Sequence, residues 1–344
     1  MDLFTPIVDE SKFHPFFANV LQQKNLANQQ VVQDWANGFI DRDNKFVQEF
    51  QTTFNSSFWE LYLYGVLKKL GCKVNFQHPS PDFVLTSPSI CIEATIASNA
   101  LGSPSASSPK DVSLPENPNE LNRQAIIRLA NSFSSKYKKY QKTYSKLQHM
   151  KEKPFVIAIA PFDRPHFQLQ VQRSIEALLF DYYVDEEEYL AKGDLGVDLN
   201  GKNINKVIKN SGVSISLGVF NNESYSEVSA VIFSTAGSWG KVRALASDNN
   251  AHTYFDTIHY NPESVMPIVN RGIHKSNYTE SILDGLRVYH NPFAKYPLYR
   301  SLFRFDEVFQ SYYDFDKNDW IYELSSKNLL YRSVNTFIKM ESKK

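Results

Sequence analysis

An α/β fold is the class this sequence predicts, and three features predict it. The run Phe58-Trp59-Glu60-Leu61-Tyr62-Leu63-Tyr64-Gly65-Val66-Leu67-Lys68-Lys69-Leu70 is apolar over most of a helical surface, and Gly71 stands where a helix C′ residue belongs. Short segments with strand propensity follow at 73–77, 82–86 and 90–96. After a long helical stretch from about Asn119 to Met150, the apolar run Phe155-Val156-Ile157-Ala158-Ile159-Ala160 reads as a strand covered on both faces. The order is helix, three strands, helix, strand, and then additions.

Around that unit the chain divides unevenly. Residues 1–54 predict a helical cap of two helices: the stretch from Phe16 to about Phe54 is polar and rich in Gln and Asn, with apolar residues such as Val31, Val32, Trp35 and Phe39 at irregular three and four spacings. Residues 55–245 form the main unit. Its interruption at 98–119 carries Ser-Pro and Asn-Pro punctuation and almost no large apolar side chain, which predicts a mobile loop. A helix near 168–183, the acidic stretch Asp185-Glu186-Glu187-Glu188, a strand near 213–220 and a strand at 228–234 come next. Residues 246–344 read as an aromatic-rich extension packed on the core, with Val288-Tyr289-His290 as a strand stopped by Asn291-Pro292.

Composition narrows the functions. A chain of 344 residues, 42% hydrophobic and 14% aromatic, can bury a large core. Its 37 basic and 37 acidic residues leave almost no global field, so a nucleic-acid site has to come from local charge segregation. No basic n-region with an apolar run opens the chain, and nothing approaches the ~18 apolar residues of a spanning helix. The expectation is a soluble cytoplasmic protein with no membrane segment. Cys72 and Cys91, without a second pair at C-x-x-C spacing, read as core thiols, and no H-x-x-x-H pair supports a helical zinc site. Gly237-Ser238-Trp239-Gly240-Lys241 fails the spacing of a phosphate loop and reads as a turn after a strand.

Two acids break this pattern. Asp82 and Glu93 each sit inside an otherwise apolar segment, and Glu93 is an anomaly within Ile90-Cys91-Ile92-Glu93-Ala94-Thr95-Ile96. If Ser87-Pro88 is the centre of the turn between the second and third strands, the antiparallel register pairs Asp82 directly with Glu93, Cβ atoms roughly 4.5–5.5 Å apart. Like charges so placed raise a pKa unless something cationic lies between them, and Mg²⁺ or Mn²⁺ prefers such oxygen ligands. The alternative is an Asp and a Glu facing solvent. Glu60 offers a third carboxylate, although Ser57-x-x-Glu60 also fits a capping box.

The sequence of Glu60 in a helix, Leu70-Gly71-Cys72-Lys73-Val74, Pro81-Asp82, ten intervening residues and Glu93-Ala94-Thr95 resembles the PD-(D/E)XK, or restriction-endonuclease-like, nuclease superfamily over about residues 56 to 160. The resemblance implies an αβββαβ core with a mixed sheet, followed here by α+β additions. It also implies a divalent-metal site of Asp82 and Glu93 with Glu60 as accessory ligand, and catalysis by metal-dependent hydrolysis of DNA, for which defence or restriction is the natural setting. One departure matters: the family's motif lysine, two residues after the second acid, falls on Thr95, which brings no positive charge. Replacements are expected from the following helix, where Gln124, Arg128, Lys136, Lys138, Lys139 and Lys142 lie, Lys136 and Lys139 as catalytic substitutes and the set as a nucleic-acid contact. Between Lys136 and Lys153 stand seven lysines against one acid, Glu152. The alternative function is a catalytically degenerate nuclease fold that binds nucleic acid or assembles with a partner protein, or with itself.

Overall fold

The computed structural model describes residues 1–23, 25–98, 117–192, 201–248 and 252–337. Its first helices are α1 (Pro15–Gln23), α2 (Leu26–Ala36) and α3 (Phe46–Thr52), one more than the two expected, because the turn at 37–45 separates a third apolar cluster, Phe46 and Phe50. They lay Phe17, Val32, Trp35 and Phe50 on α4 (Phe54–Lys69). Helix α4 ends as Gly71 predicts. The glycine adopts φ +73°, its N–H donates to Lys68 O at 3.0 Å, and Cys72 N–H donates to Leu67 O at 2.9 Å, the paired bonds of a Schellman cap. The other end corrects an expectation. Helix α4 begins at Phe54, so Ser57 is a buried interior residue and the Ser57–Glu60 capping box does not form.

Strands β1 (Lys73–Val74), β2 (Phe83–Ser87) and β3 (Cys91–Ile96) follow, then α5 (Pro118–Lys142), β4 (Phe155–Ala160), α6 (Arg173–Phe180), α7 (Glu186–Lys192), β5 (Lys206–Ile208) and β6 (Ser214–Ser216). Next come β7 (Ala230–Phe233), α8 (Trp239–Leu245), β8 (Thr253–His259), β9 (Ile268–His274), β10 (Arg287–His290), β11 (Phe309–Asp314), β12 (Asp319–Glu323) and β13 (Leu329–Thr336). Asn117 caps α5, its side chain accepting from Glu120 N–H at 3.1 Å, with Pro118 in the first turn. Most of the punctuated stretch 98–119 lies outside the described residues.

The protein is a mixed α/β structure. Among the described residues the main sheet runs β1-β2-β3-β4-β7-β10-β11-β12, with β3, β4 and β7 mutually parallel and the flanking pairs mostly antiparallel. Residues of β4 alternate between two cores: Val156, Ala158 and Ala160 pack on the α4 side, Phe155, Ile157 and Ile159 on the side of α5 and α6. That double burial explains a strand apolar at every position. The aromatic C-terminal segment supplies β10, β11 and β12 to this sheet, while β13 pairs with β8 in a second sheet, β13-β8-β9. The strand expected near 213–220 is only β6, paired with β5 away from the main sheet.

The helix expected to reach Met150 stops at Lys142. Thr143 leaves helical geometry at φ −125°, ψ −58°, and two short 3₁₀ turns, Tyr144–Lys146 and Gln148–Met150, carry the chain to β4. The gain that offsets the lost helical bonds is burial of Tyr144, which is fully enclosed. No helix among the described residues is long and apolar enough to cross a membrane. Cys72 and Cys91 are free and buried, and burial pushes both thiols up to about 11.

Candidate carboxylate and lysine site

Strands β2 and β3 pair with Phe83 opposite Ile92 and Val84 opposite Cys91. Extended by one residue, that register sets Asp82 against Glu93. The junction is closed by a hydrogen bond: Ala94 N–H donates to Asp82 Oδ2 at 2.6 Å. Alternation along β3 turns Glu93 toward the core shared with α5, between Cys91 and Thr95 on the same face, so the carboxylate enters an apolar layer containing Phe133, Tyr137 and Phe155.

Glu93 is fully buried and fully engaged. Lys136 Nζ lies 2.7 Å and Lys139 Nζ 3.0 Å from its Oε1, and Tyr144 donates its hydroxyl to Oε2 at 2.7 Å. The two lysines are three apart on α5 and share a face, and the 3₁₀ turn after α5 aims Tyr144 at the same carboxylate. Lys139 also stands over the Tyr144 ring, 5.0 Å from its centroid. Burial by itself would raise the Glu93 pKa, but Lys136, Lys139 and the Tyr144 hydroxyl outweigh it and hold the carboxyl below its ordinary value. Tyr144 is pushed well up by burial and by the charge on Glu93.

The other two acids are in the opposite condition. Burial and the neighbouring Glu93 charge push Asp82 up to about 6, against the pull of Lys136 and the Ala94 amide. Burial and Asp82 raise Glu60 well above the normal glutamate value, and Glu60 has no hydrogen bond among the described residues. The lysines therefore neutralise Glu93, and the strain of like charge falls on Asp82 and Glu60. Arg42 stands by them. Its guanidinium donates to the carbonyls of His78, Pro81 (3.4 Å) and Asp82 (3.3 Å), which fixes the loop leading into β2, and its charge opposes the rise at Glu60. His149 Nε2 contacts Ser80 O at 2.8 Å and its ring stacks on His78, centroids 3.8 Å apart.

No family model matches this chain, and neither the curated proteins nor the solved structures compared with it give a match. Its chemistry is therefore read from the side chains.

Of the residues singled out in the sequence, Asp82, Glu93, Lys136 and Lys139 come together. Thr95 lies on the Glu93 face, but among the described residues its hydroxyl meets only Ile96 O, at 3.4 Å. Gln124 is bound to Glu120 at 2.6 Å and to Arg164, away from the carboxylates. Arg128 is buried and donates to Gln170 Oε1 at 3.3 Å, and burial lowers its pKa to about 10; its guanidinium does not face solvent as Lys139 does. Lys138 and Lys142 are exposed and carry no ion pair among the described residues. Sequence reasoning missed Arg42, His149 and the contact of Tyr144 with Glu93. Their partners, main-chain carbonyls and a carboxylate on a distant strand, leave no spacing signal.

Whether the site suits a divalent cation depends on its free oxygens. All its donors are carboxylate oxygens, the set hard cations prefer, and two of the three acids are destabilised for want of positive charge. Among the described residues no three His, Cys, Asp or Glu side chains converge closely enough to enclose a metal ion. If a cation enters, Asp82 with Glu60 or Glu93 would be the residues to hold it, the other positions being left to water or phosphate.

Proposed function

We propose that this chain is a metal-dependent nuclease that hydrolyses phosphodiester bonds of DNA on a restriction-endonuclease-like core of the PD-(D/E)XK type. The single observation that carries the reading is the pair of lysines on Glu93. The motif position two residues after Glu93 is Thr95, and the positive charge missing there is supplied by Lys136 and Lys139 from the next helix. The order of elements from α4 to β4 and the antiparallel β2–β3 pair that juxtaposes the acids agree with such a core.

In this mechanism Asp82 and Glu93, with Glu60 beside them, would hold Mg²⁺ or Mn²⁺. Bound there, the ion supplies Lewis acidity toward water and phosphate. Asp82 keeps one oxygen on the Ala94 amide, which orients the other. Lys136 and Lys139 offset negative charge developing on the phosphate. Substrate approaches across the end of α5, where Lys138 and Lys142 are exposed and free to meet phosphates. Tyr144 holds Glu93 in place.

A second reading, a non-catalytic DNA-binding or assembly module, draws on one observation: both Glu93 oxygens already have partners, so a cation must displace a lysine or the tyrosine. A plasmid-nicking assay with Mg²⁺ or Mn²⁺ separates the two. The nuclease reading expects metal-dependent cleavage by the parent and none by Asp82→Ala or Glu93→Ala. DNA retention by all three proteins without cleavage by any selects the module.

A further inference from the structure

The parallel strands β4 and β7 are neighbours, yet the chain leaves them toward opposite faces of the sheet. The connection after β4 leads to α6, which packs with α5; that after β7 leads to α8, which packs with α4. Beyond the carboxyl ends of such a strand pair the diverging connections leave a crevice, the usual ligand position in open α/β sheets. A cavity of about 620 Å³ opens there, lined by Phe162 and Arg164 after β4 and by Ser238 and Trp239 after β7.

Its lining has a marked chemical bias. Among the described residues no acidic side chain lines it, Asp163 lying behind the lining Asn55 that donates to it at 2.9 Å, whereas Arg164, Arg243 and Arg332 do. Arg332 is paired through Nη1 with Glu280, behind the wall. Among the described residues Arg243 donates to the neutral oxygens Thr336 Oγ1 at 2.9 Å and Gln23 Oε1 at 3.1 Å, and Arg164 donates to Gln124; neither has an ion-pair partner there, although Asp248 lies near enough to Arg243 to act on its charge. Trp239 and Arg332 are each only 8% exposed, and Trp239 Nε1–H and Arg332 Nε–H have no hydrogen-bond partner among the described residues. Buried donors left unpaired are costly, so two in one cavity wall point to acceptors that a ligand brings. Phe54 and Phe58, both packed against the Trp239 ring, make the rest of that wall apolar and aromatic.

We propose that this cavity binds a nucleoside monophosphate, its planar base on the aromatic wall with ring acceptors toward Trp239 and Arg332, and its phosphate toward Arg164 and Arg243. The volume lies within the range of small-ligand sites. The nucleotide is either free or the phosphorylated end of a strand. The site is separate from the Asp82–Glu93 cluster and needs no metal.

The test is isothermal titration of the full chain in EDTA with AMP, with adenosine and inorganic phosphate as comparators. Saturable one-site binding of AMP is expected, with phosphate and adenosine each at least tenfold weaker. Arg164→Gln weakens AMP binding by about tenfold, the size of a lost charge-assisted hydrogen bond, and Trp239→Phe, which keeps the ring packing and deletes the donor, weakens it by about fivefold. Unchanged thermal unfolding of both variants ties those losses to the ligand. Lack of saturation, binding of phosphate as tight as AMP, or two variants that bind like the parent overturns the proposal. A 5′-phosphorylated tetranucleotide then identifies the source: displacement of AMP means a strand end, no displacement a free nucleotide, and either upholds the site. Because no divalent ion is present, failure here is independent of whether the chain cleaves DNA.

Discussion

Lys136 and Glu93 form an ion pair across the helix–sheet interface, Nζ to Oε1 at 2.7 Å, with the glutamate fully buried and the lysine side chain 23% exposed. Breaking one partner of a buried pair is strongly destabilising, but here Lys139 remains on the same oxygen. Lys136→Met is expected to cost roughly 1–2 kcal/mol, below the ~3–5 kcal/mol of an isolated buried pair. Urea unfolding measures it. Stability equal to that of the parent means that the lysine belongs to solvent rather than to Glu93.

Tyr144 is the neutral donor to the same carboxylate. Tyr144→Phe keeps the ring and deletes one hydrogen bond to a charged acceptor, a loss of about 1.5–3 kcal/mol. The Glu93 carboxyl should titrate at higher pH in the variant, which carboxyl-carbon NMR follows directly. A Glu93 resonance with an unchanged titration curve is incompatible with the hydrogen bond.

Asp82, pushed up to about 6, makes a pH prediction whose sign is opposite to that of Glu93. Between its unfolded value near 3.8 and 6 the folded state holds the proton that the unfolded chain has released, so this group's contribution falls as pH rises through that window. Asp82→Asn removes the fall and stabilises the fold by about 1–2 kcal/mol at pH 7. The lowered Glu93 acts the other way: its stabilisation is present above the unfolded value, near 4.5, and is lost as pH falls below it. Unfolding free energies from about pH 3.5 to about 7.5 for parent and Asp82→Asn test both signs.

A divalent cation should relieve the same excess of negative charge. Mn²⁺ or Mg²⁺ is expected to raise the unfolding temperature of the parent, to do so more at pH 7 than at pH 5 where Asp82 is protonated, and to leave Asp82→Ala unmoved. Calorimetry with and without EDTA decides. An equal rise in parent and variant places the ion elsewhere.

Lys138 and Lys142 project from the end of α5 without ion-pair partners among the described residues. If DNA crosses there, replacing each with alanine weakens binding about equally for all sequences and lowers the salt slope by about 1 for each phosphate no longer neutralised. Fluorescence anisotropy over a salt series gives the slope. A slope that does not change removes this face from the proposed interface.

Much of this structure could be read in the sequence, for reasons specific to each element. The strand at 155–160 was legible because burial on two faces demands an apolar residue at every position, and the end of α4 because glycine, with no Cβ, enters a left-handed cap at little steric cost. The pairing of Asp82 with Glu93 followed from turn placement and the two-residue period of a strand. The tertiary structure alone decided where α5 ends, since Thr143 breaks the helix so that a tyrosine can reach a carboxylate 51 residues away in the chain. It likewise decided that Arg128 turns inward while Lys136 and Lys139 share one oxygen, and that residues after 286 complete the main sheet. Local patterns record which face of an element is apolar; which distant partner compensates a buried charge depends on packing between elements, and periodicity carries no record of that.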